Sequence, residues 1–298
     1  MKSRVPAGLR VAFLTSGPSR PFFPLESAWA DLRCFPVSSG WNLAATEAAL
    51  FRPHVTYCVL DEHFDAASAT SIPGLRVGLV TRPPHGSRGP WPLQAWREAL
   101  DGLTWFEPPP EGEPDPLAVL PLPVNRARLP PPDFSRRGVV VPRWAAPSAE
   151  VMERLGRMEE LVVLEPGGSL DAHLALLDTA AIFLTAGYDA TGRLDPLPLQ
   201  ALARGLLVIA TTGFPPLWGI EPEDDFLVRP EAKLLAAVDE VLRIPDTARA
   251  VRLRAFQKAA EFFDADDVFA RLTVDVLLAL DASRLVSSTE PSRLRRVR

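Results

Sequence analysis

The sequence predicts an α/β protein built from two doubly wound domains followed by a helical C-terminus. Three observations carry this expectation. The chain has 298 residues, which exceeds the usual size of one domain and divides naturally into two. Short apolar runs alternate with amphipathic stretches in both halves, the pattern of parallel strands covered by helices. From Thr247 onward only the helical period remains.

In the first half, Leu9 to Ser16 is a continuous apolar run closed by Ser16, Gly17 and Pro18, as expected of a buried parallel strand entering a loop. Further strands are predicted at Leu32 to Val37, His54 to Leu60, Leu75 to Thr81, Leu103 to Phe106 and Leu117 to Leu122. Helices are predicted between them at Leu25 to Asp31, Asn42 to Phe51 and Leu93 to Leu100. The second half repeats the scheme. Strands are expected at Gly138 to Val141, Leu161 to Leu164, Ala181 to Thr185, Leu206 to Thr211 and Phe226 to Val228. Helices follow at Ser148 to Met158, Ser169 to Asp178 and Asp195 to Arg204, the last ended by Gly205, and another begins at Pro230 and Glu231.

The 32 prolines fall mostly in Arg82 to Pro92, Glu107 to Pro132 and Phe214 to Pro222, so they punctuate connections and spare the helical patterns. The stretch from Pro123 to Phe134 marks the domain boundary, giving domains at residues 1–130 and 131–282. Residues 283–298, Ser-rich and then basic with Arg293, Arg295, Arg296 and Arg298, are expected to be a flexible tail.

Composition excludes several classes. A net charge of -5 gives no basic face for nucleic acid. No apolar run approaches the roughly 20 residues of a membrane span, and the N-terminus lacks a signal-peptide design, so a cytoplasmic location is expected. Cys34 and Cys58 lie inside strand-like runs and fit neither a disulfide framework nor a zinc site. His54, His63, His85 and His173 lack the paired spacing of metal ligands, and no metal is expected. No Walker or GxGxxG sequence follows any strand, which counts against simple nucleotidases and dehydrogenases.

In doubly wound sheets ligands bind where strands end, so the residues just after each strand are the functional candidates. In the second half these are Arg143, Gly167 and Gly168, then Ala186, Gly187 and Tyr188, then Thr211, Thr212 and Gly213. Glycines let a diphosphate approach backbone amides, and an arginine beside them could hold phosphate bidentately. In the first half, Gly17 follows the first strand, while Asp61, Glu62 and His63 form a titratable group at the end of another. Glu62 and His63 are candidates for acceptor-side acid–base work, against the alternative of a solvated loop.

The stretch from Asp171 to Thr212, DAHLALLDTAAIFLTAGYDATGRLDPLPLQALARGLLVIATT, resembles the donor-binding segment of retaining GT-B glycosyltransferases of the GT4-like and CgeB-like families. Thr185 and Ala186 match the Pro-Ser after a strand in those families, and Ala201, Leu202, Ala203, Gly205 and the run to Thr211 match their Ala-rich helix and next strand. More weakly, Phe51 to Phe64 and Leu120 to Asn125 resemble the corresponding N-terminal and interdomain segments. The resemblance implies two Rossmann-like domains facing a cleft, the C-terminal helices crossing back to the first. It implies a glycosyl- or hexosyltransferase that uses a nucleotide-diphosphate sugar, needs no further cofactor, and acts on an unknown acceptor.

It also exposes departures. The family's pair of glutamates falls at Gly192 and Gln200, neither of them acidic. Gln200 keeps a carbonyl acceptor where the second glutamate would grip the donor ribose. The lysine of the usual phosphate clamp is absent near Arg143, since the next lysine is Lys233. Three readings stay open: a divergent transferase, a catalytically inactive GT-B-like module that binds a ligand, a second copy of itself or a partner protein, and, more weakly, a periplasmic-binding-like or epimerase-like two-domain α/β protein.

Overall fold

The computed structural model describes residues 8–15, 24, 27–60, 64–80, 93–105, 118–119, 123–158, 160–166, 170–186, 197–211 and 219–288. Contacts divide the chain into two compact units, one of Met1–Leu14, Glu26–Val119 and Asp267–Arg298, the other of Thr15–Leu25 and Leu120–Asp266.

The first unit carries strands β1 (Arg10–Thr15) and β2 (Asp31–Pro36), helix α1 (Trp41–Phe51), β3 (Val55–Leu60), α2 (Ala66–Thr70), β4 (Leu75–Val80), α3 (Leu93–Ala99), β5 (Gly102–Trp105) and β6 (Ala118–Val119). They form a six-stranded sheet of order β2-β1-β3-β4-β5-β6. β3, VTYCVL, is buried at every residue, as a central parallel strand covered on both faces must be. On one face Leu14, Cys58, Leu60, Val80 and Trp105 pack with Trp41, Ala44, Ala45 and Ala48 of α1 and with Trp96 and Ala99 of α3. Burial pushes the Cys58 thiol up to about 12, so it serves as a small apolar side chain.

The helix expected at Leu25 to Asp31 is absent where the chain is described. Residues 28–30 form a bend and β2 already begins at Asp31, whose N–H donates to the Leu9 carbonyl at 2.8 Å. A helix unforeseen in the sequence, α2, is made of small Ala, Ser and Thr residues with no apolar period, and Asp65 caps it by accepting from the Ala67 N–H at 3.0 Å. Gly74 (φ 84°) brings the chain into β4 so close to β3 that a Cβ there would lie 2.5 Å from the Pro53 carbonyl oxygen.

The second unit carries β7 (Val139–Pro142), α4 (Ala149–Leu155), β8 (Leu161–Leu164), α5 (Leu170–Leu177), β9 (Ile182–Thr185), α6 (Leu197–Leu202), β10 (Leu207–Ala210), β11 (Leu227–Val228), α7 (Glu231–Arg243) and α8 (Arg249–Phe262). Its five strands run in the order β11-β10-β9-β7-β8, all parallel neighbours. Alternation along each strand sorts the core. Val140, Phe183 and Val208 pack with α5, α6 and α8, while Val139, Val141, Ile182, Leu184, Leu207 and Ile209 pack with α4 and α7. This unit is therefore doubly wound.

The proline-rich stretch from Pro123 is tied into the second unit. The Val124 N–H donates to the Phe263 carbonyl at 2.7 Å, and the Ala265 N–H donates to the Val124 carbonyl at 2.9 Å. The last helix, α9 (Ala265–Ser288), is assigned from Asp267 onward to the first unit. There Phe269 packs edge-on against Phe13 and Tyr57, with ring centroids 4.8 and 5.2 Å away. Tyr57 Oη and Thr273 Oγ1 hydrogen-bond at 2.6 Å. α9 extends through Ser283 to Ser288, and residues 289–298 of the expected tail lie outside the described residues. Among the described residues no helix is long and apolar enough to cross a membrane.

Candidate functional site

In the second sheet, chain order reverses between β7 and β9, which are neighbours although β8 lies between them in sequence. Connections on either side of such a pair run to opposite faces of the sheet and leave room at the strand ends, where ligands of doubly wound folds bind. The residues there are Arg143 and Trp144 after β7 and Thr185 and Ala186 closing β9. Hydrogen bonds fix the rim. The Ala186 N–H donates to the Ala145 carbonyl at 2.7 Å, joining the two sides of the switch point. Thr211, after β10, donates through Oγ1 to the Ala186 carbonyl at 2.8 Å and through its N–H to the Thr185 carbonyl at 3.2 Å. Thr185 is fully buried, so its position shapes the rim without exposing its side chain.

Arg143 is a cation at this edge, and its side chain is 57% exposed. It is paired with a residue the sequence reading did not single out. Pro142 and Leu164 are register partners on β7 and β8, so Arg143 and Glu165 leave their strands side by side. Nε donates to Glu165 Oε2 at 2.6 Å and Nη2 to Oε1 at 2.5 Å, a bidentate pair. The hydrogen bonds and charge of Glu165 hold the guanidinium above its usual range, and Arg143 holds the carboxyl below the usual carboxylate range. Both therefore stay charged at neutral pH. Beneath them, His173 Nε2 hydrogen-bonds the Glu165 carbonyl oxygen at 3.1 Å, and its ring lies 5.4 Å from that of Trp144. His173 is thus a packing residue between α5 and the strand ends, and only 8% exposed.

Gln200 lies elsewhere. It sits on α6 with only 2% exposure. Its Nε2 donates to the Pro123 carbonyl at 3.4 Å, and its Oε1 accepts from Arg204 Nη1 at 2.8 Å. Arg204, itself 4% exposed, sets its Nε 3.1 Å from Asp178 Oδ1. Burial pulls the Arg204 guanidinium below its ordinary range, with Asp178 opposing that shift.

No family model matches the chain, and no curated protein matches it. Solved structures do. Sucrose-phosphate synthase from Thermosynechococcus elongatus superposes with a TM-score of 0.55 at 10% identity, over 92% of this chain and 100% of that one. HepE of Anabaena, solved with UDP-glucose, gives 0.53 at 9% identity over 91% and 100%. A glycosyltransferase from Rickettsia africae gives 0.52 at 10% identity over 91% and 98%.

The chain has the GT-B fold.

Against this GT-B frame, the sequence-derived site residues separate into three groups. Arg143 and Thr185 lie at the switch point of the second sheet. Gln200 is buried on α6, where its carbonyl oxygen accepts from Arg204 within the same domain. Gly17, Glu62, His63, Gly167, Gly168, Gly187, Tyr188, Thr212 and Gly213 lie outside the described residues. In the first sheet the order reverses between β1 and β3, which end at Thr15 and Leu60, so Gly17, Glu62 and His63 follow the strands that flank that switch point. Glu165 was legible in principle, since it follows β8 as Arg143 follows β7. Among the described residues no group of His, Cys, Asp and Glu could hold a metal ion.

Proposed function

We propose that this GT-B protein is a glycosyltransferase that takes a sugar from a nucleotide-diphosphate donor, with the diphosphate held at the β7–β9 switch point of the second unit. The observation that carries this reading is Arg143, an exposed guanidinium at the end of the strand bordering that point. Bond cleavage at the anomeric carbon moves negative charge onto the leaving diphosphate, and a fixed cation there lowers the barrier more than it favours the bound donor. Arginine suits the task because its planar fork matches two phosphate oxygens and it keeps its proton at any working pH. The glycines at Gly167, Gly168 and Gly187 would admit backbone amides to the same phosphates. A uridine nucleotide is the first to test, since HepE, which shares the fold, was solved with UDP-glucose.

The test is a calorimetric titration of the whole chain with UDP, GDP and dTDP and their glucose conjugates. One nucleotide is expected to bind in the micromolar range, its sugar conjugate at least as well. Failure of all three to bind, to the wild type and to a variant in which the Glu165 carboxylate is neutralised (E165Q) alike, would remove the donor site.

A second reading, a GT-B module that binds without transferring sugar, is favoured by Gln200. The position that should present an acceptor to the donor ribose spends its carbonyl on Arg204. Release of UDP from UDP-glucose in long incubations separates the two, because a silent module binds the donor and leaves it intact.

A further inference from the structure

Glu165 lies on the side of Arg143 away from the switch point. In the order β9-β7-β8, the switch point falls between β7 and β9, whereas Glu165 extends from β8. The bidentate contact therefore draws the guanidinium toward β8 and fills two of its donors, Nε and Nη2, with carboxylate oxygens. These are the same kind of oxygens, in the same planar geometry, that a diphosphate would present.

We infer that Glu165 is a parking site for Arg143, an internal carboxylate that occupies the guanidinium until a nucleoside diphosphate replaces it. This rests on the donor-site reading above and adds a step to it. Loading the donor is an exchange of one anion for another across β7. Both side chains are more than half exposed, so the pair is solvated and screened, and it yields to a ligand of higher charge. Glu165 is in this sense a positioning residue. Its carboxylate holds the arginine at the strand end, and its competition sets the donor concentration at which the site fills.

The alternative geometry has a different signature. The guanidinium edge left free by Glu165 could meet the diphosphate while the pair stays closed, and Glu165 would then assist binding. Titration of UDP into the wild type, E165Q, E165A, R143A and the E165Q/R143A double variant distinguishes them. Exposed pairs of this kind contribute little, so E165Q and E165A should tighten UDP binding only modestly, about threefold. That gain should vanish when Arg143 is already alanine, the coupling expected of residues that act on each other. UDP binding by E165Q where the wild type shows none would support parking equally. If R143A weakens UDP while E165Q leaves it unchanged or weaker, the parking role falls and the donor site stands. If neither the wild type nor E165Q binds any nucleotide, both fall.

Discussion

Arg252→Ala is expected to lower the stability of the second unit by roughly 3 kcal/mol, within the range for removing a buried, hydrogen-bonded charge. Arg252 is 1% exposed, and its guanidinium gathers carbonyls from two distant segments. Nε donates to the Gly205 carbonyl at 2.7 Å, Nη1 to that of Phe134 at 3.1 Å and Nη2 to that of Asp133 at 3.4 Å. The guanidinium carbon also lies 5.1 Å from the Phe134 ring centroid. Burial, reinforced by the charge of Arg136, pulls its pKa down to about 10, which still leaves it protonated at neutral pH.

Alanine at position 252 leaves those carbonyls without a donor and opens the space the side chain filled. Gly205, in the left-handed region at φ 74°, would lose the partner that holds the turn between α6 and β10. Hydrogen exchange of the Val208 and Ile209 amides in β10 reads the effect locally. Their protection should fall by about two orders of magnitude, while protection in β3 of the first unit should change little. A loss in β10 of less than threefold would show that the three hydrogen bonds do not hold this turn.

Arg143→Ala is expected to weaken binding of the preferred nucleoside diphosphate by roughly ten- to a hundredfold, the usual worth of a charge-assisted bidentate contact. Thermal stability should not follow, because the side chain is exposed and its pair with Glu165 is solvated. Arg143→Lys keeps the charge but not the fork and should fall between the two. Calorimetry and a melting curve on the same preparations separate loss of the site from loss of the fold. Unchanged affinity in Arg143→Ala would show that the phosphate is held by something else.

Much of this architecture can be read from the sequence because strands buried on both faces must be apolar throughout. VTYCVL and LVIA are interior strands of their sheets, paired on both sides, for that reason. Arg143 could be singled out because a strand end is fixed once the strand is. Side-chain partners were harder. Gln200 and Arg204 are four residues apart, which signals a contact, but whether they meet in the interior or at a ligand depends on Asp178, in the turn after α5. Arg252 carries no local signal at all, since Phe134 and Gly205 lie far from it in sequence. α2 is not legible in the sequence because AASAT has no apolar period, and its start is marked only by Asp65.

The location of the diphosphate is the most direct test of the donor site, and a crystal structure of the protein with UDP measures it. The phosphates are expected beside the end of β7 on its β9 side, within hydrogen-bond distance of the Arg143 guanidinium, with Glu165 released. Phosphates bound away from Arg143, or a UDP seated at another edge of the sheet, would contradict a donor site at this switch point.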